Sequence, residues 1–188
     1  MSDRVTIEPE SFSLIEFDRD ELAAILEKLL DDVGLAGPVT LEIDQTTPLG
    51  HTRVDSVEPL KLFAESGALE DPKRIRKLSA PQTALVLGRL LFRVRDRQDP
   101  AFVAGGEPPA DKDLTVQQRA SWDAYTIGRL VRLGYTYQAD RQARLYDFRT
   151  RHGFTDVADE NFATLWDAET LTWADIEKLS SEASAAAA

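Results

Sequence analysis

The residues best suited to metal or acid–base chemistry lie in one short stretch of the N-terminal half. Glu42 and Asp44 alternate along the segment PVTLEID, and His51 and Asp55 follow in the next loop and extended segment. Two or three carboxylates with one imidazole can hold a divalent cation or provide an acid–base pair. The spacing predicts such a site at Glu42, Asp44, His51 and Asp55, and solvent-facing strand and loop residues are the alternative. Apart from a divalent metal here, no cofactor is predicted.

A second group of candidate residues is cationic and lies between residues 129 and 152. Arginine pairs bidentately with phosphate or carboxylate, and the interleaved tyrosines offer stacking faces. The predicted binding site for a small anionic ligand or nucleic acid comprises Arg129, Arg132, Arg141, Arg144, Arg149 and His152. The same spacing is also typical of ion pairs on a helix surface. A net charge of −11 disfavours nucleic acid, because that affinity comes mainly from neutralising phosphates.

The third group of candidates is aromatic. The segment from residue 154 to residue 179 is rich in large apolar side chains for a terminal stretch, and it includes Trp166 and Trp173. These side chains either cap a helical core or form an interface patch, where tryptophan is a favoured anchor.

Several classes of chemistry are excluded by what the chain lacks. It has no cysteine, which excludes disulfides, thiolate catalysis and cysteine-ligated metal centres. With two histidines, a site made of several histidines is excluded within one chain. No HExxH, GxSxG, Walker A or GxGxxG motif is present. These features favour a binding role over an enzymatic one.

The composition is that of a globular protein, with 43% hydrophobic and 29% charged residues. No apolar run approaches the ~20 residues that a membrane-spanning helix needs. The N-terminal residues show no apolar signal-peptide core. We therefore expect a cytoplasmic protein without membrane contact, and the excess of arginine over lysine indicates a GC-rich bacterial coding sequence.

The charge is unevenly distributed along the chain. Residues 71–153 carry 16 Lys and Arg against 9 Asp and Glu, a net charge of +7. Residues 1–70 carry −11 and residues 154–188 carry −7. Either the acidic ends fold back on the basic middle and neutralise it, or the middle presents a cationic surface to an anionic partner.

The N-terminal half is predicted to combine strands with helices. A helix over residues 19–33 has Asp18 as its N-cap, apolar residues at helical spacing, and Gly34 after its last turn. Strands are predicted over residues 5–7, 12–17, 38–44 and 52–57, and short helices over residues 58–66 and 71–78.

The longest amphipathic helix of this half is predicted over residues 79–97. Ser79 and Gln82 have the spacing of a capping box, and Leu87 and Leu91 fall on its apolar face. Arg89, Arg93 and Arg97 form a separate row, which either faces solvent or meets an acidic partner elsewhere in the protein.

The C-terminal half is predicted to be entirely helical. The Gly- and Pro-rich segment 101–113 predicts a loop, either a lid or a linker, between a portion 1–100 and a portion 114–188. We expect one compact domain. Helices are predicted over residues 114–133, 137–152, 157–167 and 173–181.

Together these patterns predict an α+β fold that is mostly helical, with a small N-terminal β-sheet packed against helices. The function predicted is a non-enzymatic cytoplasmic interaction or regulatory protein that binds a protein partner or a second copy of itself. The alternatives are a small enzyme that uses the strand carboxylates, and an anion- or nucleic-acid-binding module that uses the arginine-rich helices.

Overall fold

A computed structural model describes residues 4–187 of the chain. Helix accounts for 49% of the residues and strand for 16%, and a mixed four-stranded sheet is present, which confirms the α+β class. The chain divides into two compact units, residues 1–95 and 96–188. The division falls near the end of one long helix, α2 (Ala80–Gln98).

The first unit is built on a small mixed sheet. Its strands are β1 (Val5–Glu8), β2 (Val39–Asp44), β3 (Thr52–Val57) and β4 (Leu60–Glu65), in the order β1-β2-β4-β3. Strands β1, β2 and β4 are parallel, and β3 is antiparallel to β4. Helix α1 (Arg19–Val33) makes the crossover that two parallel neighbours require.

Helix α1 has the bounds that its sequence signals predict. The Asp18 carboxylate accepts hydrogen bonds from the first-turn amides of Asp20 and Glu21, and Gly34 ends the helix at φ 81°. Strand β2 is also confirmed, because Val39, Leu41 and Ile43 are buried on one face of the sheet. The buried side chains of α1 are Leu22, Leu26, Leu29, Leu30 and Val33.

Two short predictions in this unit are wrong. Residues 58–66 contain strand β4 and not a helix, because Leu60, Leu62 and Ala64 alternate into the core while β2 and β3 supply its hydrogen bonds. A short apolar run does not by itself distinguish helix from strand. Residues 12–17 form no strand, and only an isolated bridge joins Glu16 to Lys77.

The predicted basic helix over residues 71–78 is also wrong. These residues form a hairpin of β5 (Glu70–Asp71) and β6 (Arg74–Leu78). The Asp71 carboxylate accepts from the Lys73 amide and pairs with Arg74, which stabilises the turn instead of a helix.

Helix α2 confirms the long amphipathic helix. Leu87 and Leu91 are fully buried. Only half of the predicted capping box forms, because the Ser79 hydroxyl accepts from the Gln82 amide while the Ser79 amide donates to Leu69 O.

The arginine row of α2 is not a solvated edge. Arg93 is only 1% exposed, and the Arg89 guanidinium donates to the Thr52 hydroxyl at 2.9 Å. The Arg97 guanidinium pairs at 2.7 Å with Asp111, which is itself buried. The acidic partner expected elsewhere in the chain is therefore found for Arg97.

The second unit contains four further helices, as predicted. They are α3 (Val116–Arg132), α4 (Arg141–His152), α5 (Asp156–Asp167) and α6 (Trp173–Ala185). Capping boxes start α3 at Thr115 and α6 at Thr172, since both hydroxyls accept from the third amide of the helix. Gly128 lets α3 approach α5 closely, because a Cβ there would lie 2.2 Å from the Trp166 carbonyl oxygen.

The Gly- and Pro-rich loop belongs to this second unit. Phe102 is buried and stacks on Trp122, with ring centroids 5.6 Å apart. Its carbonyl oxygen accepts from the Trp173 amide at 2.9 Å. Together with the Arg97–Asp111 pair, these contacts hold both ends of the loop against the helices.

A buried carboxylate joins the end of α2 to α3. Asp96 is 4% exposed, and its oxygens accept two hydrogen bonds from the Arg129 guanidinium at 2.8 and 2.7 Å. The Trp122 indole donates a third at 2.8 Å. The Arg129 guanidinium also lies 3.8 Å over the Tyr125 ring. Asp96 is therefore fully satisfied inside the core of the second unit.

We expect Asp96→Ala to destabilise the second unit by about 3–5 kcal/mol, because it leaves the Arg129 charge buried without its counter-ion. The matched control is Asp167→Ala, which breaks the exposed Arg141–Asp167 pair and should cost about 0–1 kcal/mol. Chemical denaturation followed by circular dichroism measures both. Equal losses for the two variants would contradict this account.

Candidate functional site

Of the four residues of the predicted metal site, Glu42 and Asp44 lie on β2, Asp55 lies on β3, and His51 lies in the loop before β3. Because β4 lies between β2 and β3, the carboxylates of Glu42 and Asp44 are one strand away from Asp55. The Asp44 carboxylate accepts from the amide and hydroxyl of Thr46, and these hydrogen bonds lower its pKa. Asp55 pairs with Arg53 at 2.5 Å.

His51 meets a carboxylate that the sequence analysis did not include. Its amide donates to Glu65 Oε2 at 2.8 Å, and its Nδ1 lies 3.1 Å from Glu65 Oε1. Glu65 ends β4 opposite Asp44 of β2, so it was hidden by the incorrect helix prediction for this segment. Among residues 4–187, no three histidine, aspartate or glutamate side chains form a group that could hold a metal ion.

Three of the predicted anion-binding arginines are held by α5 or by Asp96. Arg129 lies on Asp96, as described above. Arg132 donates to the carbonyl oxygens of Trp166 and Ala168 at 2.8 and 2.7 Å, and so satisfies the C-terminal end of α5. Arg141 pairs with Asp167 at 2.6 Å.

The other two arginines of this set are also engaged within the second unit. Arg149 forms a two-pronged pair with Asp159, and its hydrogen bonds are the main cause of the lowered pKa of that carboxyl. Arg144 donates from Nε and Nη2 to the Gln138 carbonyl oxygen at 3.0 and 2.6 Å. The acidic segment after residue 153 thus supplies Asp159 and Asp167 to the basic helix α4.

His152 lies in a buried polar cluster and not at an anion-binding surface. Its Nε2 is 3.2 Å from both the Ser121 and the Ser180 hydroxyl oxygens, and its Nδ1 is 3.2 Å from the Phe148 carbonyl oxygen. The carbonyl can only accept, so Nδ1 carries a proton and Nε2 accepts from a serine hydroxyl. His152 is 2% exposed and Ser121 is fully buried. The cluster joins α3, α4 and α6.

The predicted interface tryptophans are both in the core of the second unit. Trp166 is 6% exposed, and its ring centroid lies 5.5 Å from that of Phe162. Trp173 is 3% exposed, and its ring centroid lies 5.1 Å from that of Trp122. The exposed aromatic side chains are instead Tyr146, at 59%, and Phe154, at 63%. Their rings contact edge to face, with centroids 5.7 Å apart.

A concave site of about 320 Å³ opens between α3 and α4, and we call it the α3–α4 pocket. Its buried apolar floor contains Ala124, Ile127, Phe148 and Phe162. The remaining lining residues are Val116 and Ala120 together with the charged residues Arg119, Asp123, Arg144, Asp147 and Arg151. Its volume is at the small end of the range found for small-molecule binding pockets, roughly 300–1,000 Å³, and such pockets have a similar lining.

Comparison with known protein families, with curated proteins and with solved structures gives no match. Between residues 4 and 187, no helix has the length and apolar character needed to cross a membrane.

The buried His152 gives a specific expectation for pH. Burial lowers its pKa, an effect only partly opposed by the hydrogen bond to Phe148. The unfolded chain takes up a proton below about pH 6.5, while the folded chain still excludes it. We therefore expect the free energy of unfolding to fall as the pH drops from 7 through this window.

Thermal denaturation of His152→Gln between pH 7 and pH 5.5 tests this expectation. The variant should lose most of the pH dependence in that window, whatever its absolute stability. Ser180→Ala is the matched control, because it removes a hydroxyl from the same cluster and keeps the imidazole, so the pH dependence should remain. The same slope in both variants would show that His152 is not the responsible group.

Proposed function

We propose that this chain is a cytoplasmic, non-enzymatic interaction or regulatory protein whose helical unit binds a protein partner. The observation that supports this proposal is an exposed apolar surface at the junction of α4 and α5. It consists of Tyr146 and Phe154, whose rings are in contact, with the exposed Val157 three residues further along the chain, and we call it the aromatic corner.

The aromatic corner has the composition of a protein-binding surface. Tyr146 and Phe154 are more than half exposed, and Val157 is 38% exposed. Large apolar groups that are exposed together raise the free energy of the protein in water. Their burial against a partner is favourable by about 25 cal/mol per Å² of apolar surface removed from water. Aromatic rings are also the groups that most often dominate the binding energy of an interface.

The backbone around the aromatic corner is held in place before any partner binds. Tyr146 lies on α4, which is tied to α5 by the Arg149–Asp159 pair. The Thr155 hydroxyl accepts from the Ala158 amide and caps α5 directly after Phe154. A preordered surface loses less conformational entropy on binding, which favours specific association.

Acidic residues also neighbour the corner in the sequence. Asp147 follows Tyr146 in the sequence, and Asp156 lies between Phe154 and Val157; both carboxylate-bearing residues are exposed. A polar rim around an apolar centre is the usual arrangement of a protein interface. It also limits non-specific association of the apolar centre.

The proposal is tested with a photo-crosslinking amino acid placed at position 146. We expect a defined cross-linked product that is competed away by the unlabelled protein and is lost when Phe154→Ser is added. A cross-linker at Leu133, another exposed apolar residue of the same unit at 45%, is the matched control.

The mass of the product separates the two kinds of partner. A product of twice the chain mass, with concentration-dependent sedimentation, identifies a second copy of this chain, and another mass identifies a different protein. Cross-linking that is equal at positions 146 and 133, or unaffected by Phe154→Ser, would overturn the proposal.

A further inference from the structure

The α3–α4 pocket combines an apolar interior with a charged mouth. Its floor is buried and offers only hydrocarbon and aromatic atoms, from Ala124, Ile127, Phe148 and Phe162. Its mouth carries three arginines and two aspartates. A ligand that fits this arrangement has an apolar body and one charged end.

The charges at the mouth are not equally available. The Asp147 carboxylate lies 3.7 Å from the Arg144 guanidinium, so these two charges offset each other. Arg119 donates one hydrogen bond to the backbone carbonyl oxygen of Asp111. This carbonyl is neutral, so the hydrogen bond does not offset the positive charge of Arg119. With Arg144 and Asp147 paired, Arg119 and Arg151 remain against Asp123, so the net charge at the mouth is positive.

Arg151 is the arginine best placed to bind an anion. It is exposed, and within residues 4–187 its guanidinium forms no hydrogen bond or ion pair. Its backbone is nevertheless fixed, because the Gln117 side-chain amide donates to its carbonyl oxygen at 3.3 Å and joins the end of α4 to α3. A guanidinium on an anchored backbone can pair bidentately with a carboxylate.

From this geometry we propose that the α3–α4 pocket binds a small amphipathic monocarboxylate. The carboxylate pairs with Arg151, within the positive field that Arg119 adds, and the hydrocarbon body lies on Phe148 and Phe162. The volume of about 320 Å³ suits a short aliphatic chain or a single ring. A phosphate ester with a polar body is a poor match, because the floor would leave its hydroxyl groups without hydrogen bonds.

The test uses octanoate as the probe and isothermal titration calorimetry on the full chain. We expect saturable binding at one site per chain, and binding of octan-1-ol at least 10-fold weaker, because the alcohol has the same hydrocarbon body without the charge. Arg151→Gln should weaken octanoate binding about 10-fold or more. The matched control is Arg95→Gln, an exposed arginine of α2 that does not line the pocket, and it should bind as the unmodified protein does.

A second variant tests the apolar part of the site. Ala120→Leu places a larger side chain into the pocket from a half-buried position and should abolish octanoate binding. Circular dichroism tests whether each variant is folded. If Ala120→Leu does not fold, the Arg151→Gln result alone tests the proposal. The proposal is overturned if octanoate does not bind, if it binds no tighter than octan-1-ol, or if Arg151→Gln binds it unchanged.

Discussion

The buried ion pair between Asp96 and Arg129 is the interaction on which the second unit depends. Taking a carboxylate and a guanidinium out of water is costly, and the cost is offset when close pairing and further hydrogen bonds replace the lost contacts with water. Asp96 meets this condition because Arg129 supplies two hydrogen bonds and Trp122 supplies the third. The pair holds α3 to residue 96, at the start of this unit, and α4, α5 and α6 pack on α3.

Local chemistry explains which parts of the fold could be predicted from the sequence. Helix α1 was predicted with its observed bounds because Asp18 and Gly34 cap it through atoms only a few residues away. Strand β4 was not predicted, because its conformation is fixed by hydrogen bonds to β2 and β3, and no short segment carries that information. The half-buried Phe63 between Leu62 and Ala64 also obscured the alternation.

The candidate sites also divide into features that the local sequence shows and features that depend on distant residues. The sequence indicated where the arginines lie on their helices but not which groups they meet, since Arg129 and Asp96 are 33 residues apart. The charge pattern left two alternatives, acidic ends that fold back on the basic middle or a cationic surface for a partner, and the C-terminal segment supplies two pairs with α4 through Asp159 and Asp167. Glu65 and the α3–α4 pocket could not have been found before the strands and helices were assembled.

The placement of the tryptophans has a practical consequence. All three indoles, Trp122, Trp166 and Trp173, belong to residues 96–188, and all three are buried. Intrinsic indole fluorescence therefore reports on the helical unit alone and is silent about the sheet-containing unit. Comparing the indole emission with the circular dichroism of the whole backbone distinguishes sequential unfolding of the two units from one concerted transition, without any added label.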